Sequence, residues 1–284
     1  MKKRDTPKGS MQMPVRCVTY NIQYGIGMDG RYELARIAEA VRDADIIALQ
    51  EVSRGSPWNA FADMTAELAL LFPDRFAAWH FPVDTDLGSI VENGRKTERR
   101  FQFGNGVLSR WPIIGARGHL LPRRRVDERL NLQRGALEAV IGTPAGVMRF
   151  YSVHLDHIDP QERLDQLAVL KRIALDFSSF GGAISGVSSL GFAEPPSPDE
   201  FILMGDFNFE PGSIEYRAML DDGAVVDVSA KDQSFTYHDP RKQERSQRLD
   251  FCFASSDLAA RILSTSVDGD AVGSDHRPVW VTIG

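Results

Sequence analysis

The chain has 284 residues, 43% of them hydrophobic and 25% charged, the balance of a globular protein rather than a disordered or fibrous one. Its 33 Lys and Arg against 39 Asp and Glu give a net charge of -6, which excludes a global positive field for coating nucleic acid and leaves room for a local basic patch. Cys17 and Cys252 each sit in an apolar, strand-like run, which suits reduced core thiols better than a disulfide framework, and no zinc-type Cys/His spacing occurs.

Residues 1–13 read as a flexible tail, basic like the start of a signal peptide but without the apolar segment that should follow. No window approaches roughly eighteen continuous apolar residues, so a chain with no transmembrane segment, cytoplasmic by default, is expected. Residues 14–284 read as a single domain, long enough to bury a sizeable core. It opens β-α-β: "VRCVTYNI" and "DIIALQEV" are short β-rich runs, and "YELARIAEAVRDA" between them has helical periodicity. Residues 59–72, "NAFADMTAELALLF", predict a second helix that Pro73 ends. A block of strands follows, "FGNGVLSR", "PIIGARGHL", "RGALEAVIG" and "VMRFYSVHL", whose short connections at "SRWP" and "GTPAG" predict antiparallel hairpins. "DPQERLDQLAVLKRIALDF" then predicts a helix with Asp159 as N-cap, Pro160 at its first position and Glu162 completing a capping box. Its expected apolar face is Leu164, Leu167, Ala168, Leu170, Ile173 and Ala174. The Ser-, Gly- and Pro-rich stretch over 178–200 reads as a surface loop before "FILMGDFN".

Strand direction places the polar residues. The first run leaves at Asn21, the second at Glu51, and "FILMGD" at Asp206 and Asn208, all exits of apolar strands, where α/β sheets place ligand sites. If Asn105 starts its strand at that end, the hairpins return the chain near Leu120, lead it away through "RGALEAVI" and deliver His154. Asp250 opens "DFCFA", and Asp275 and His276 precede the final strand. Each has a plainer reading. Asn21, Asp206, Asn208 and Asp275 suit turns, Glu51 a solvated strand end, Asn105 a Gly-Asn-Gly bend, His154 a hydrogen-bonded strand end, and Asp250 an ion pair with Arg248. His276 would merely happen to lie beside Asp275, but nine private reasons do not explain nine polar residues on one rim.

The ordered set "TYNI", "LQEV", "GNGVLSR", "HLDH", "GDFN", "RLDF" and "SDHRP" resembles the endonuclease/exonuclease/phosphatase superfamily over about residues 15–283. "LQE" alone is weak; "GDFN" with a terminal "SDH" in this order is strong. The resemblance implies a four-layer α/β/β/α sandwich, two mixed β-sheets face to face with helices outside. It implies hydrolysis of a phosphate ester with a divalent metal, usually magnesium, with manganese as a substitute. On this pattern Glu51 is the principal metal ligand, with Asn21 and Asp275 completing or supporting the metal site. Asp206 orients and deprotonates water, Asn208 and His276 hold the scissile phosphate, Asp250 orients His276, and His154 is a second phosphate-contacting or acid/base group. Asn105 matches a motif position near the phosphate.

That chemistry is intelligible without the resemblance. Carboxylates and amides suit a hard, oxygen-loving ion, a positioned carboxylate can take the proton of attacking water, and an Asp partner favours imidazolium at His276. "GRKTERRFQF" and "PRRRVDERLNLQR" add arginines on the same inferred rim, Arg123, Arg124 and Arg125 foremost. Two readings stand for them: an anionic substrate group beyond the reacting phosphate, or solvated loop charge balanced by Glu98, Asp127 and Glu128. The expected substrate is therefore an anionic small-molecule or phospholipid-headgroup phosphoester. A nuclease acting on DNA or RNA is the alternative, and a scaffold that lost the chemistry is a third class that the full motif set disfavours.

Overall fold

The computed structural model describes residues 13–239 and 245–284, so the expected tail, Met13 apart, lies outside the described residues. Twelve strands form two six-stranded mixed sheets. The first contains β1 (Val15–Asn21), β2 (Ile46–Arg54), β3 (Phe76–Asp86), β6 (Arg100–Ser109), β13 (Ile262–Val267) and β14 (Val279–Ile283), in the order β13-β14-β1-β2-β6-β3. The second contains β7 (Ile113–Leu120), β8 (Gly135–Thr143), β9 (Gly146–His154), β10 (Phe201–Asp206), β11 (Val225–Asp227) and β12 (Asp250–Ser255), in the order β11-β12-β10-β9-β8-β7. A two-stranded hairpin, β4 (Ile90–Glu92) and β5 (Arg95–Thr97), lies between β3 and β6 in the chain.

Side-chain alternation sorts the apolar residues into three layers of packing. Val15 and Cys17 of β1 join Ile202 and Met204 of β10 and Cys252 of β12 between the sheets. Their neighbours Val18 and Tyr20 point the other way, against Leu34, Ile37 and Val41 of α1 (Leu34–Val41) and Met64 and Leu68 of α2 (Met64–Leu71). On the far face, Leu203, Phe251 and Phe253 pack with Leu167 and Leu170 of α3 (Pro160–Leu175). One-turn α4 (Phe177–Phe180) and α6 (Ser256–Ala259), and α5 (Ile214–Leu220), complete the helices. The architecture is the four-layer sandwich expected. Both cysteines are buried and free, and burial pushes both thiols up. Among the described residues no helix is long and apolar enough to cross a membrane.

Three local expectations differ from the structure. The "SRWP" connection is not a hairpin: β6 lies in the first sheet and β7 in the second, so the chain crosses between layers with Trp111 packed against the intersheet core. Of residues 59–72, only 64–71 are α-helical; Pro57–Asn59 form a separate turn, and Asp63 caps the helix by accepting from the Thr65 and Ala66 amides. The capping box at α3 does not close. Asp159 caps the Gln161 amide, but Glu162 turns inward to accept from the Arg124 amide at 2.7 Å. Ala168 faces solvent, and the buried side of the first turns is polar, with Arg163 on Glu215 at 2.7 Å and Gln166 on the Pro122 carbonyl at 2.9 Å.

Two parallel pairs position the site. β1 and β2 run side by side to Asn21 and Glu51, while β9 and β10 end together with His154 opposite Asp206. Antiparallel β12 begins with Asp250 opposite Asp206 from the other side. Close approach of β9 and β10 requires Gly205, where a Cβ would lie 1.9 Å from the Val153 carbonyl oxygen.

Candidate active site

The strand exits open into a cavity of about 440 Å³. Asn21 is its central connector. Its buried Nδ2 donates to Glu51 Oε1 at 3.2 Å and to Asp206 Oδ2 at 3.0 Å, while Oδ1 accepts from the Gln23 amide at 3.1 Å. A residue of the first sheet thereby links acids delivered by both sheets. Glu51 reaches the cavity through a β-bulge: Gln50 pairs with Asn105 and Val52 with Gly104, leaving Glu51 unpaired at φ 61°. Left-handed backbone is rare away from glycine and is one way a bulge re-aims a side chain. Asn208 is likewise left-handed, φ 53°; its amide N–H donates to Asp206 Oδ1 at 2.9 Å and its Nδ2 to the Leu155 carbonyl at 3.0 Å.

His276 lies between acids. Its Nδ1 is 2.8 Å from Asp250 Oδ2, and its Nε2 is 3.7 Å from Asp206 Oδ2. Burial disfavours the charged ring, yet Asp250 and Asp206 outweigh it and push the pKa up to about 10, so the imidazolium persists at neutral pH. His154 behaves oppositely. Burial, reinforced by Arg134, His276 and His157, holds it well below the usual histidine range and keeps it neutral, with Nε2 3.5 Å from Asp206 Oδ2. Burial also raises Asp206, opposed chiefly by His276.

The part of the cavity lined by Gln23, Glu51 and Asp275 is oxygen-rich. Burial and then the charge of Asp275 raise Glu51 to about 7. Gln23 Nε2 donates to Asp275 Oδ2 at 2.8 Å, and its buried Oε1 has no hydrogen-bond partner. Two carboxylates and an orphaned amide oxygen around one cavity form a surplus of hard acceptors, a set that fits a divalent cation of the magnesium class. Asp206, Asp250 and His276 also cluster, with one ligand atom from each within 4.8 Å of the others. In that trio, however, His276 Nδ1 already engages Asp250, a pairing that orients a ring rather than a metal.

Eight of the residues singled out from the sequence therefore meet here: Asn21, Glu51, His154, Asp206, Asn208, Asp250, Asp275 and His276. Asp250 pairs with His276 rather than with Arg248, which is bound to Asp227 at 3.1 Å. Asn105 does not enter the cavity. It is buried between the sheets, with Nδ2 on the Gly135 and Ser152 carbonyls at 2.8 and 2.9 Å. The three arginines also stay out of the cavity lining. Arg124 is drawn to Asp165 at 2.8 Å, Arg125 to Asp127 at 2.7 Å, and Arg123 to the Asn131 carbonyl at 3.0 Å. Their segment does reach the rim, but through Leu130 and Leu132.

Three cationic or polar neighbours, Arg134, His157 and Gln23, escaped the sequence reading. Arg134, 5% exposed, places Nη1 2.9 Å from His154 Nε2 and Nη2 2.8 Å from His157 Nδ1; no carboxylate lies within ion-pair distance among the described residues, and its Nε has no partner. An arginine directly before the strand "GALEAV", and the second histidine of "HLDH", were the available signals. Gln23 carried none beyond its place two residues after Asn21.

The sequence from 18 to 276 matches the model of the endonuclease/exonuclease/phosphatase family. The chain belongs to that family. Its members hydrolyse phosphate esters with divalent metals, and this chain is a phosphoesterase. Among solved structures, it is similar to an endonuclease/exonuclease/phosphatase protein from Beutenbergia cavernae, 20% identical with a TM-score of 0.67, covering 95% of this chain and 71% of that one. It is also similar to a mannosyl-6-phosphatase from Bacteroides thetaiotaomicron, 19% identical with a TM-score of 0.59, covering 95% and 100% of the two chains. A 3′ phosphatase from Neisseria bound to product DNA hairpin is 18% identical, with a TM-score of 0.60 and coverage of 95% and 99%. At these identities the likeness shows a shared fold. No curated protein sequence matches the chain.

Proposed function

We propose that this phosphoesterase acts on a small anionic phosphate ester, of the size of a metabolite or a phospholipid headgroup, with magnesium held by Glu51 and Asp275 and supported by Asn21. The carrying observation is the convergence on Asp206 Oδ2 of two unlike histidines, His276 with Nε2 at 3.7 Å and Nδ1 held by Asp250 at 2.8 Å, and His154 with Nε2 at 3.5 Å. When bound, the metal neutralises phosphoryl oxygens and lowers the charge barrier to attack. Asp206, buried and fixed by Asn21 and the Asn208 amide, accepts the proton of the attacking water. His276 donates Nε2–H to a non-bridging phosphoryl oxygen while Asp250 keeps Nδ1 protonated. Arg134, a buried guanidinium without a carboxylate, supplies a second positive group to the same anion.

A cavity of about 440 Å³ without free arginines of the 123–125 segment supports a small substrate over a polymer. A nucleic acid needs a basic track along its backbone, and the candidate arginines are engaged with carboxylates and a carbonyl instead. The test is a panel of nucleotide, lipid-headgroup, sugar-phosphate and DNA esters with magnesium or manganese. Small esters are expected to turn over fastest, with weak salt dependence. Steeply salt-dependent cleavage of DNA or RNA above all small esters refutes this reading in favour of a nuclease.

A further inference from the structure

We propose that Trp58, backed by Tyr24, forms a subsite for a flat aromatic ring, so that the ester cleaved here carries a nucleobase or aryl group near its phosphate. This rests on the phosphoesterase reading above. Trp58 is the exposed one of the four tryptophans, at 38%, and it lines the same cavity as Glu51, His154 and His276. An indole partly in contact with water beside a reaction centre offers a flat apolar face of the kind enriched at recognition surfaces.

Its surroundings are built rather than incidental. Tyr24 lies 4.9 Å away at 38°, and Phe101 and Phe103 meet the indole edge-on at 5.5 and 6.2 Å. Three rings thus fix Trp58 while part of its surface remains open. The loop that carries it is conformationally costly: Ala60 and Phe61 are left-handed, at φ 56° and 63°. So is the opposing loop, where Gln23 and Tyr24 are both at 42°. Strain of this kind persists only where surrounding structure over-determines it, and it clusters at ligand sites. One buried side chain ties the two loops together: Asn59 Nδ2 donates to the Tyr24 carbonyl and to Ser53 Oγ, both at 3.1 Å. Ser56 Oγ accepts from the Trp58 amide at 3.2 Å and completes the turn. Core packing accounts for buried Phe101 and Phe103. It does not account for two strained loops joined by an amide to hold an exposed indole at the cavity.

The experiment is calorimetric titration of the magnesium-loaded protein with methyl-, cyclohexyl- and phenylphosphonate, non-hydrolysable anions that differ only in the group beside the phosphorus. The phenyl compound is expected to bind about tenfold more tightly than the methyl one, in the range of single base–aromatic stacking. Trp58→Ala should abolish that preference and leave methylphosphonate affinity unchanged, whereas Trp58→Phe should keep most of it. An adenine-bearing phosphonate then separates the two sources: a gain over phenyl marks a nucleoside ester, equality marks an aryl ester, and both support the subsite. Equal affinity for cyclohexyl and phenyl, or a preference that survives in Trp58→Ala, overturns the inference and leaves the phosphoesterase reading standing. Failure of every phosphonate to bind wild-type protein with magnesium sinks that underlying reading instead. Unchanged melting temperatures of the variants without ligand confirm that folding is not what was measured.

Discussion

Asp250→Asn tests the electrostatic logic of the site with the smallest change in shape. His276 is held near 10 chiefly by Asp250 against the opposing effect of burial. Removing that charge releases the ring toward its ordinary value of about 6.5. A ring returned fully to about 6.5 is protonated in only about 3% of molecules at pH 8, a loss of roughly 30-fold if the protonated ring is the reacting form. At pH 6 the same shift costs less than about twofold. An asparagine can also present its NH₂ to Nδ1 and stabilise the wrong tautomer, which adds a pH-independent loss. The assay is kcat/KM on a minimal phosphodiester with magnesium, taken as the variant-to-wild-type ratio from pH 6 to 9, with histidine proton resonances followed by NMR. A ratio that is flat across this range refutes the argument. Stability provides a second check. A folded pKa raised from about 6.5 to about 10 contributes stability that is fully present below pH 6.5 and disappears as pH rises through 10. The denaturation midpoint of wild type should therefore fall over that interval more steeply than that of Asp250→Asn.

Glu51→Gln removes the charge of the carboxylate proposed as the principal metal ligand and is expected to weaken magnesium binding by calorimetry with the metal-free melting temperature unchanged; unaltered affinity refutes the ligand assignment. Asp206→Asn keeps the shape but not the proton acceptor, so turnover at saturating magnesium should fall ~10²- to 10⁴-fold with substrate still bound. Near-normal turnover would shift the base role to another group, His154 first. Joint neutralisation of Arg123, Arg124 and Arg125 should leave kcat/KM on a minimal diester unchanged, since all three are engaged outside the cavity; a large loss shows that they move to the reaction centre. Gly205→Ala drives a Cβ into backbone at 1.9 Å and should destabilise by ~1–3 kcal/mol or more in chemical denaturation. An unchanged midpoint would mean that β9 and β10 separate freely.

What was legible in the sequence is what strand direction and residue type carry. An apolar run that ends in Asn21 or Asp206 delivers that side chain to a sheet end whatever the loops do, and the parallel pair β9 and β10 delivers His154 with Asp206. Pairings across layers were not legible. Nothing local says that β6 hands the chain to the other sheet, because "SRWP" is as good a turn as a crossover, and only the Trp111 environment decides. Nor could the sequence report that Asp159 and Asp165 of one helix would claim Arg124, since the two segments are far apart in the chain and meet only after α3 docks. Asn105 shows the same limit in reverse: it lies in the expected strand, but its amide serves two backbone carbonyls between the sheets.

Backbone strain shows why the site could not be read residue by residue. Among the described residues, left-handed positions other than glycine are Gln23, Tyr24, Glu51, Ala60, Phe61, Asn93 and Asn208. Four of them line the cavity, and Ala60 and Phe61 belong to the loop that presents Trp58. Only Asn93, in the turn of the β4–β5 hairpin, stands apart. Sequence propensity disfavours each of these conformations, so a reading from local preference assigns Glu51 to a regular strand and its side chain to the helix-covered face. The fold overrides that preference because Gln50 is anchored on the other side, donating to Ser152 Oγ at 2.9 Å, and because Asn21 holds the displaced carboxylate at 3.2 Å. Strain and hydrogen bonding thus oppose each other at one residue. The cost, of order 1–3 kcal/mol for such a backbone, is sustained by contacts that exist only once both sheets are packed.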